Sequence, residues 1–278
     1  MLRWPAMNRA HFIFLIVAPM AAAPAAAQDV PAGVFDEYGP NAAEMLERDT
    51  EWRWRVALGG GLATDPNFQG SDKYRVHLAP FIFAGYGPFF IGFGGAGVNF
   101  YRAAGLRIGA LVSLGPGRNE STDGRLAGLG DVDRTVLAGL FAVHATRTLL
   151  TRVATYTDVG GEHHGTLARL DIFARLRTGE RVGFFAGPGL TWGSRQYNQT
   201  FFGVTSEQSA RSAFPEFEAS PGINNLRLTA GTNYRFAPQW RLFGGVTASR
   251  LSGEAAASPI TEERNQYRAF LSAIYLFR

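Results

Sequence analysis

From Trp52 onward, apolar and aromatic residues recur at every second position, and this rhythm narrows the available folds more than any other feature of the chain. It is cleanest at the end. Tyr267, Ala269, Leu271, Ala273, Tyr275 and Phe277 form an unbroken apolar face, opposite Arg268, Phe270, Ser272, Ile274 and Leu276. A strand sends successive side chains to opposite sides, so this stretch is a strand with one face suited to an apolar medium. A soluble protein rarely closes on such a strand without a polar tail. An outer-membrane barrel does, because its last strand meets lipid outside and pairs with the first strand to close the sheet.

The same rhythm marks earlier segments. Strands are expected at Trp52–Leu62, Tyr74–Tyr86, Leu106–Leu114, Thr166–Arg177, Val182–Trp192, Leu226–Phe236 and Trp240–Ser249, with weaker ones at Phe89–Tyr101, Thr135–His144 and Leu149–Asp158. Phe201-Phe202-Gly203-Val204 adds a short candidate inside the polar region Gly193–Gly222. Single-chain bacterial barrels have even strand numbers, so about twelve strands are expected and ten is the alternative. Tight turns at Gly87-Pro88, Thr178–Glu180 and Ala237–Gln239 alternate with long stretches at 115–133, 193–222 and 250–265, as periplasmic turns alternate with external loops. Trp52, Tyr74, Tyr86, Tyr101, Tyr234 and Trp240 stand near strand ends, where interfacial girdles form.

A soluble β-sandwich also alternates. Its strands average about 5–6 residues, whereas those expected here match a tilted membrane crossing of about 9–11. Arginines in mid-strand need an enclosed polar home, since one at the lipid midplane costs about 2–4 kcal/mol. The fold class is therefore an all-β, transmembrane antiparallel β-barrel.

Three segments follow. Residues 1–27 resemble a cleaved export signal: Arg3 and Arg9 lead, Phe12–Met20 is apolar, and Ala25-Ala26-Ala27 places cleavage between Ala27 and Gln28. The start is Met1 or Met7. The apolar run is too short for a membrane-spanning helix, which needs about 20 residues. Residues 28–51 form an acidic periplasmic leader, with a helical turn or two expected at Asn41–Arg48. Residues 52–278 form the barrel, set for the bacterial outer membrane.

The formal charge of +4 falls when Arg3 and Arg9 are removed, so charge does not point to nucleic acid. Cysteine is absent, which excludes disulfides and thiolate chemistry. Lys73 is the lone lysine. Base composition explains that plainly; rigid guanidinium forks in a crowded lumen are the sharper explanation.

No catalytic, cofactor or metal site is expected. G-x-S-x-G, H-E-x-x-H and the P-loop are all missing. A lipid-modifying barrel enzyme would need a Ser-His pair on the outer wall, and His144 has no nameable partner. Glu162-His163-His164 reads as a polar turn, and Asp131-x-Asp133 lacks the further oxygens that calcium requires. The inward faces hold Arg53, Arg55, Arg107, Arg169, Arg175, Arg177, Arg227, Arg235, Arg241 and Arg268 against few acids, chiefly Asp171. That pattern suggests an anion-attracting lumen and, as an alternative function, a porin-like channel.

Several motifs, in order, resemble the MipA/OmpV family (MltA-interacting protein). They are Gly61-Leu62-Ala63 and Pro66-Asn67-Phe68-Gln69-Gly70-Ser71-Asp72, then Gly117-Arg118-Asn119 and Gly128-Leu129-Gly130-Asp131-Val132-Asp133. Phe201-Phe202-Gly203-Val204-Thr205, Ser258-Pro259-Ile260-Thr261-Glu262 and the aromatic final strand complete the set. Phe68 and Phe201 stand where the family tends to have tyrosine, Asn119 where aspartate is common, and Arg278 follows the terminal aromatic. The resemblance implies a non-enzymatic outer-membrane protein with motif loops around Pro66, Gly70, Ser71, Gly128, Asp131, Asp133, Phe202, Gly203, Ser258 and Pro259. It implies a scaffold joining a lytic transglycosylase to a penicillin-binding protein. Outer-membrane lipid and the barrel-assembly machinery are the other expected partners, the latter reading Tyr275 and Phe277 as its assembly signal.

Overall fold

A computed structural model describes residues 52–92 and 95–277. Twelve antiparallel strands close into one barrel in which each strand pairs with its sequence neighbours and the last with the first. They are β1 (Trp54–Pro66), β2 (Tyr74–Tyr86), β3 (Phe89–Gly92), β4 (Gly95–Ala103), β5 (Leu106–Leu114) and β6 (Val136–Ala145). The circuit continues with β7 (Leu149–Asp158), β8 (Thr166–Thr178), β9 (Val182–Gly193), β10 (Gly222–Tyr234), β11 (Trp240–Leu251) and β12 (Asn265–Phe277). The closing seam runs from Val56 opposite Phe277 to Thr64 opposite Ala269. Closing the ring joins the first and last strands, the condition for exposing a sheet to lipid, although among the described residues β3 meets β2 only from Phe83 to Tyr86.

The twelfth strand does not come from Phe201–Val204. Phe89–Tyr101 divides instead into β3 and β4, paired as a hairpin from Phe89 opposite Val98 to Gly92 opposite Gly95. Gly95 has φ +133, a value that L side chains rarely adopt, so a glycine here permits the chain to reverse. Residues Arg195–Phe202 form a helix, α1, begun by Ser194, whose side chain accepts a hydrogen bond from the Tyr197 N–H. Tyr197 and Phe201 lie four residues apart and bury one helical face, and the adjacent Phe202 is buried beside them. Val204 makes only an isolated bridge with Phe217. A second helix, α2 (Ser206–Arg211), starts on a capping box from Thr205 and Gln208. A third, α3, spans Gly253–Ala257.

The pleat decides what faces outward. On β2, Val76, Leu78 and Ile82 are 67%, 77% and 51% exposed, whereas Ala79 and Phe81 between them are 3% and 2% exposed. Aromatics gather at the short-turn end: Trp54 packs on Tyr86 at 5.2 Å, Trp240 on Tyr275 at 5.2 Å, and Tyr275 on Phe277 at 4.8 Å between ring centroids. Such rings mark a membrane–water interface. Tyr74 stands at the opposite end, where its hydroxyl accepts from the Tyr267 N–H.

The lumen differs from the polar interior expected. It carries an apolar layer above the short turns, with Phe81, Phe243 and Ile274 in one buried cluster and Phe173, Phe185, Val143 and Leu150 in another. The rings fit because small residues face them across the strands. A Cβ on Gly109 would lie 2.3 Å from the Phe141 ring, and one on Gly231 would lie 2.4 Å from Phe185. Residues 1–51, with the expected signal, the Ala27/Gln28 cleavage point, the leader and its helical turn, lie outside the described residues, as does Arg278.

Candidate functional site: the external cap and the charged belt below it

Above the phenylalanine layer the interior turns polar. Asp171 on β8 is 2% exposed and clamped from two sides. Arg152 of β7 donates to it through Nη2 at 2.8 Å and Nε at 3.2 Å, and Arg227 of β10 through Nε at 3.0 Å and also through Nη2. The Arg227 Nη1 reaches the Thr191 hydroxyl at 2.8 Å. Gly189 leaves the room: a Cβ there would fall 2.3 Å from the Asp171 carboxylate. Nearer the long-loop end, Asp65 meets Arg268 Nε at 3.1 Å and His77 Nε2 at 3.4 Å. Forked guanidinium on carboxylate is the arrangement that keeps buried charge tolerable.

The long loops fold over this end as a cap with its own core. Phe68, Leu126, Leu129, Val204 and Ile260 come from four separate loops and pack together, with Phe214 and Phe217 against them. Beside them Tyr197, Phe201, Phe202 and Ala255 join Leu167 and Leu251 at the ends of β8 and β11.

Polar contacts stitch the loops. The Ser258 hydroxyl donates to the Phe202 carbonyl at 2.6 Å and accepts from the Ile260 N–H at 3.2 Å. Arg125 donates to the carbonyls of Pro259 and Ile260 and lies over the Phe214 ring at 4.9 Å. The Glu120 carboxylate accepts from the N–H groups of Gly128 and Gly130, while Asp131 accepts from the Glu120 N–H at 2.7 Å. Gly70, at φ +102, presents its carbonyl to the N–H groups of Glu262 and Glu263. The Ser71 carbonyl accepts from the Gln266 side chain.

Asp123 anchors the centre of this cap. Its carboxylate accepts from Lys73 Nζ at 3.0 Å, the Asn67 amide at 3.2 Å and the Arg125 N–H at 3.1 Å. Burial alone would raise its pKa; those donors outweigh it and hold the carboxyl below the usual range, while Asp123 in turn raises the pKa of Lys73. Arg118 is also buried, and burial lowers its pKa to about 10.

The motif residues therefore meet in space, although not all as loops. Pro66 closes β1, Phe202 ends α1 with Gly203 as its cap, and Ser258 caps α3. Asp133 is exposed at the approach to β6. The expected lumen arginines scatter along the barrel. Arg107, Arg169, Arg175, Arg227, Arg241 and Arg268 occupy the inward-facing register. Arg55, Arg175 and Arg241 donate to turn carbonyls at the short-turn end, those of Gly87, Thr146 and Ala237 respectively. Arg53 precedes β1, and Arg177 and Arg235 stand at the same rim, where Arg235 pairs with Glu180.

Arg152, Asp65 and His77 are members of the charged belt that sequence reading did not single out. Their inward register on β7, β1 and β2 was the available signal. His144 faces outward on β6, opposite Leu106 and Thr151. His163 and His164 lie in the turn before β8, where the His164 N–H donates to Asp158.

The family described as MltA-interacting protein MipA matches residues 58–277. Curated relatives named MltA-interacting protein, from Escherichia coli (strain K12) and Shigella flexneri, are each 26% identical over 144 residues. Each match covers 52% of this chain and 57% of the relative, so the chain spans little more than half the length of the curated relatives it matches. Among solved structures, an outer membrane channel from Pseudomonas putida F1 is 10% identical, with 82% of this chain and 97% of that one covered at a TM-score of 0.43. Pseudomonas putida OprB is 8% identical, with 86% and 97% covered at 0.42.

Proposed function

This chain belongs to the MltA-interacting protein family and is a bacterial outer-membrane β-barrel, and from that premise we propose that it is a non-enzymatic envelope scaffold. Its partner in this reading is a lytic transglycosylase, and through it a penicillin-binding protein, docked at the periplasmic rim. The observation that carries the proposal is the family match across nearly all of the barrel, joined to relatives whose name records an interaction with MltA.

The rim's chemistry supports it. Arg53, Arg102, Arg147, Arg177, Arg181 and Arg235 stand on or beside the short turns, and Glu180 is the one acid among the described residues there. A surface of one sign steers an oppositely charged partner and makes capture sensitive to salt. The test is capture of a purified lytic transglycosylase by the folded barrel in detergent. Binding should weaken as salt rises and should be lost when Arg177, Arg181 and Arg235 are changed together to Glu. Absence of capture by the wild-type barrel at low salt would reject the scaffold.

An anion-selective channel is the second reading, favoured by the arginines of the belt. The phenylalanine layer below the belt and the packed cap above it weigh against an open path.

A further inference from the structure

Where the ends of β1, β2 and β12 meet the loop after β5, an open-mouthed pocket lies under the cap. Asp65, Arg75, Arg118 and Arg268 supply its charged wall, and Phe68 and Phe201 an apolar one. Arginine outnumbers acid three to one, and Asp65 is already engaged by Arg268 and His77.

Arg118 is the residue that stands out. It is 7% exposed, and its backbone is pinned by paired hydrogen bonds to Val132 at 2.9 and 2.7 Å. Nη1 donates to the Phe201 carbonyl at 3.0 Å. Nε and Nη2, by contrast, are buried and have no hydrogen-bond partner. These two nitrogens form one edge of the guanidinium, and their N–H bonds run nearly parallel. That edge is the fork that takes both oxygens of a carboxylate or two of a phosphate. A buried guanidinium with no counter-charge is costly to keep, and arginine stays charged in proteins. A role that needed only the Phe201 contact would not require two further donors.

We infer that this pocket binds a small oxyanion, a carboxylate or phosphate group of a soluble molecule, received by the Nε–Nη2 edge of Arg118 beside Phe68 and Phe201. The pocket lies on the lumen side of the barrel wall, so lipid headgroups in the surrounding leaflet do not reach it. Because the two nitrogens are shielded from solvent, anion binding requires the Arg118 side chain to turn toward the pocket about a backbone held by Val132.

The experiment is thermal unfolding of the detergent-folded barrel, titrated with inorganic phosphate against chloride at matched ionic strength. A ligand that binds only the folded state raises the midpoint in proportion to its occupancy. The wild-type midpoint should rise with millimolar phosphate, and Arg118→Gln should need about tenfold more phosphate for the same rise, the scale of one lost charge-assisted fork. If Arg118→Gln does not fold, Arg118→Lys keeps the charge without the fork and should respond more weakly than wild type. A wild-type midpoint indifferent to phosphate overturns the inference. So does a phosphate response in Arg118→Gln, or in Arg118→Lys, equal to that of wild type.

Discussion

Asp123 shows how single residues decide the state of the cap. It is 4% exposed and ties the distant Lys73 and Asn67 to its own turn, where it also accepts from the nearby Arg125 N–H. Its folded pKa lies below the unfolded value of about 3.9. A carboxyl depressed in this way contributes stability above the unfolded pKa and loses it as pH falls through the folded one. Lys73, whose pKa is raised, contributes in the opposite sense, lost only as pH climbs beyond about 10.4. Between those limits the pair holds. Hydrogen-exchange protection of the Leu126 and Leu129 amides should therefore drop as pH is lowered below about 4. Asp123→Asn should exchange faster at neutral pH and lose most of that acid dependence; an unchanged acid profile in the variant would deny Asp123 the role. The lumen shows a second residue-scale constraint. Valine at Gly231 would press into the Phe185 ring and the Gly244 carbonyl, so Gly231→Val should cost about 1–3 kcal/mol in urea unfolding of the refolded barrel.

At the scale of elements, the strands were legible because one face must meet an apolar surround, and that requirement writes a period of two into the sequence. Leu149–Asp158 shows it even where the alternation was faint, since the strand matches the expected limits. Legibility ended where another force set the pattern. Phe201 and Phe202 are adjacent and apolar, so they read as strand, yet they bury from α1 against Leu167 and Leu251, contacts made by residues distant in the chain. The Phe89–Tyr101 segment read as one strand because its glycines hid a reversal. The cap core escaped for a related reason: Phe68, Leu126, Val204 and Ile260 acquire a common environment only after the barrel brings their loops together. The β12 strand was legible from Tyr267 to Phe277 and begins two residues earlier, at Asn265. Its outward face carries Tyr275 against Trp240, and Phe277 sits opposite Val56 at the seam. Deleting Phe277 and Arg278 together removes the last seam pair and the terminal aromatic, and should block assembly. Deleting Arg278 alone should not. The readout is the heat-modifiable migration of the folded barrel, and normal migration of the first variant would refute the prediction.

At the scale of the whole molecule, three layers succeed one another along the barrel axis: phenylalanines over the turns, the Asp171 and Asp65 charge pairs, and the stitched cap. The layers obstruct by different physics. The first fills volume with rings seated on glycines, the second locks opposite charges across strands, and the third covers the mouth with a separate apolar core. An ion crossing the barrel would have to shed water into the phenylalanine layer, which is costly for any charge. Wild-type barrel in planar bilayers should therefore give no steady conductance. Truncating Phe81, Phe173, Phe185 and Phe243 to Ala should not open it alone, because the cap still covers the far end. Combining those changes with removal of residues 195–220 should produce conductance, and the arginine excess of the exposed belt should make it anion-selective. Steady wild-type conductance would contradict the obstructed barrel, and cation selectivity in the combined variant would contradict the sign of the belt.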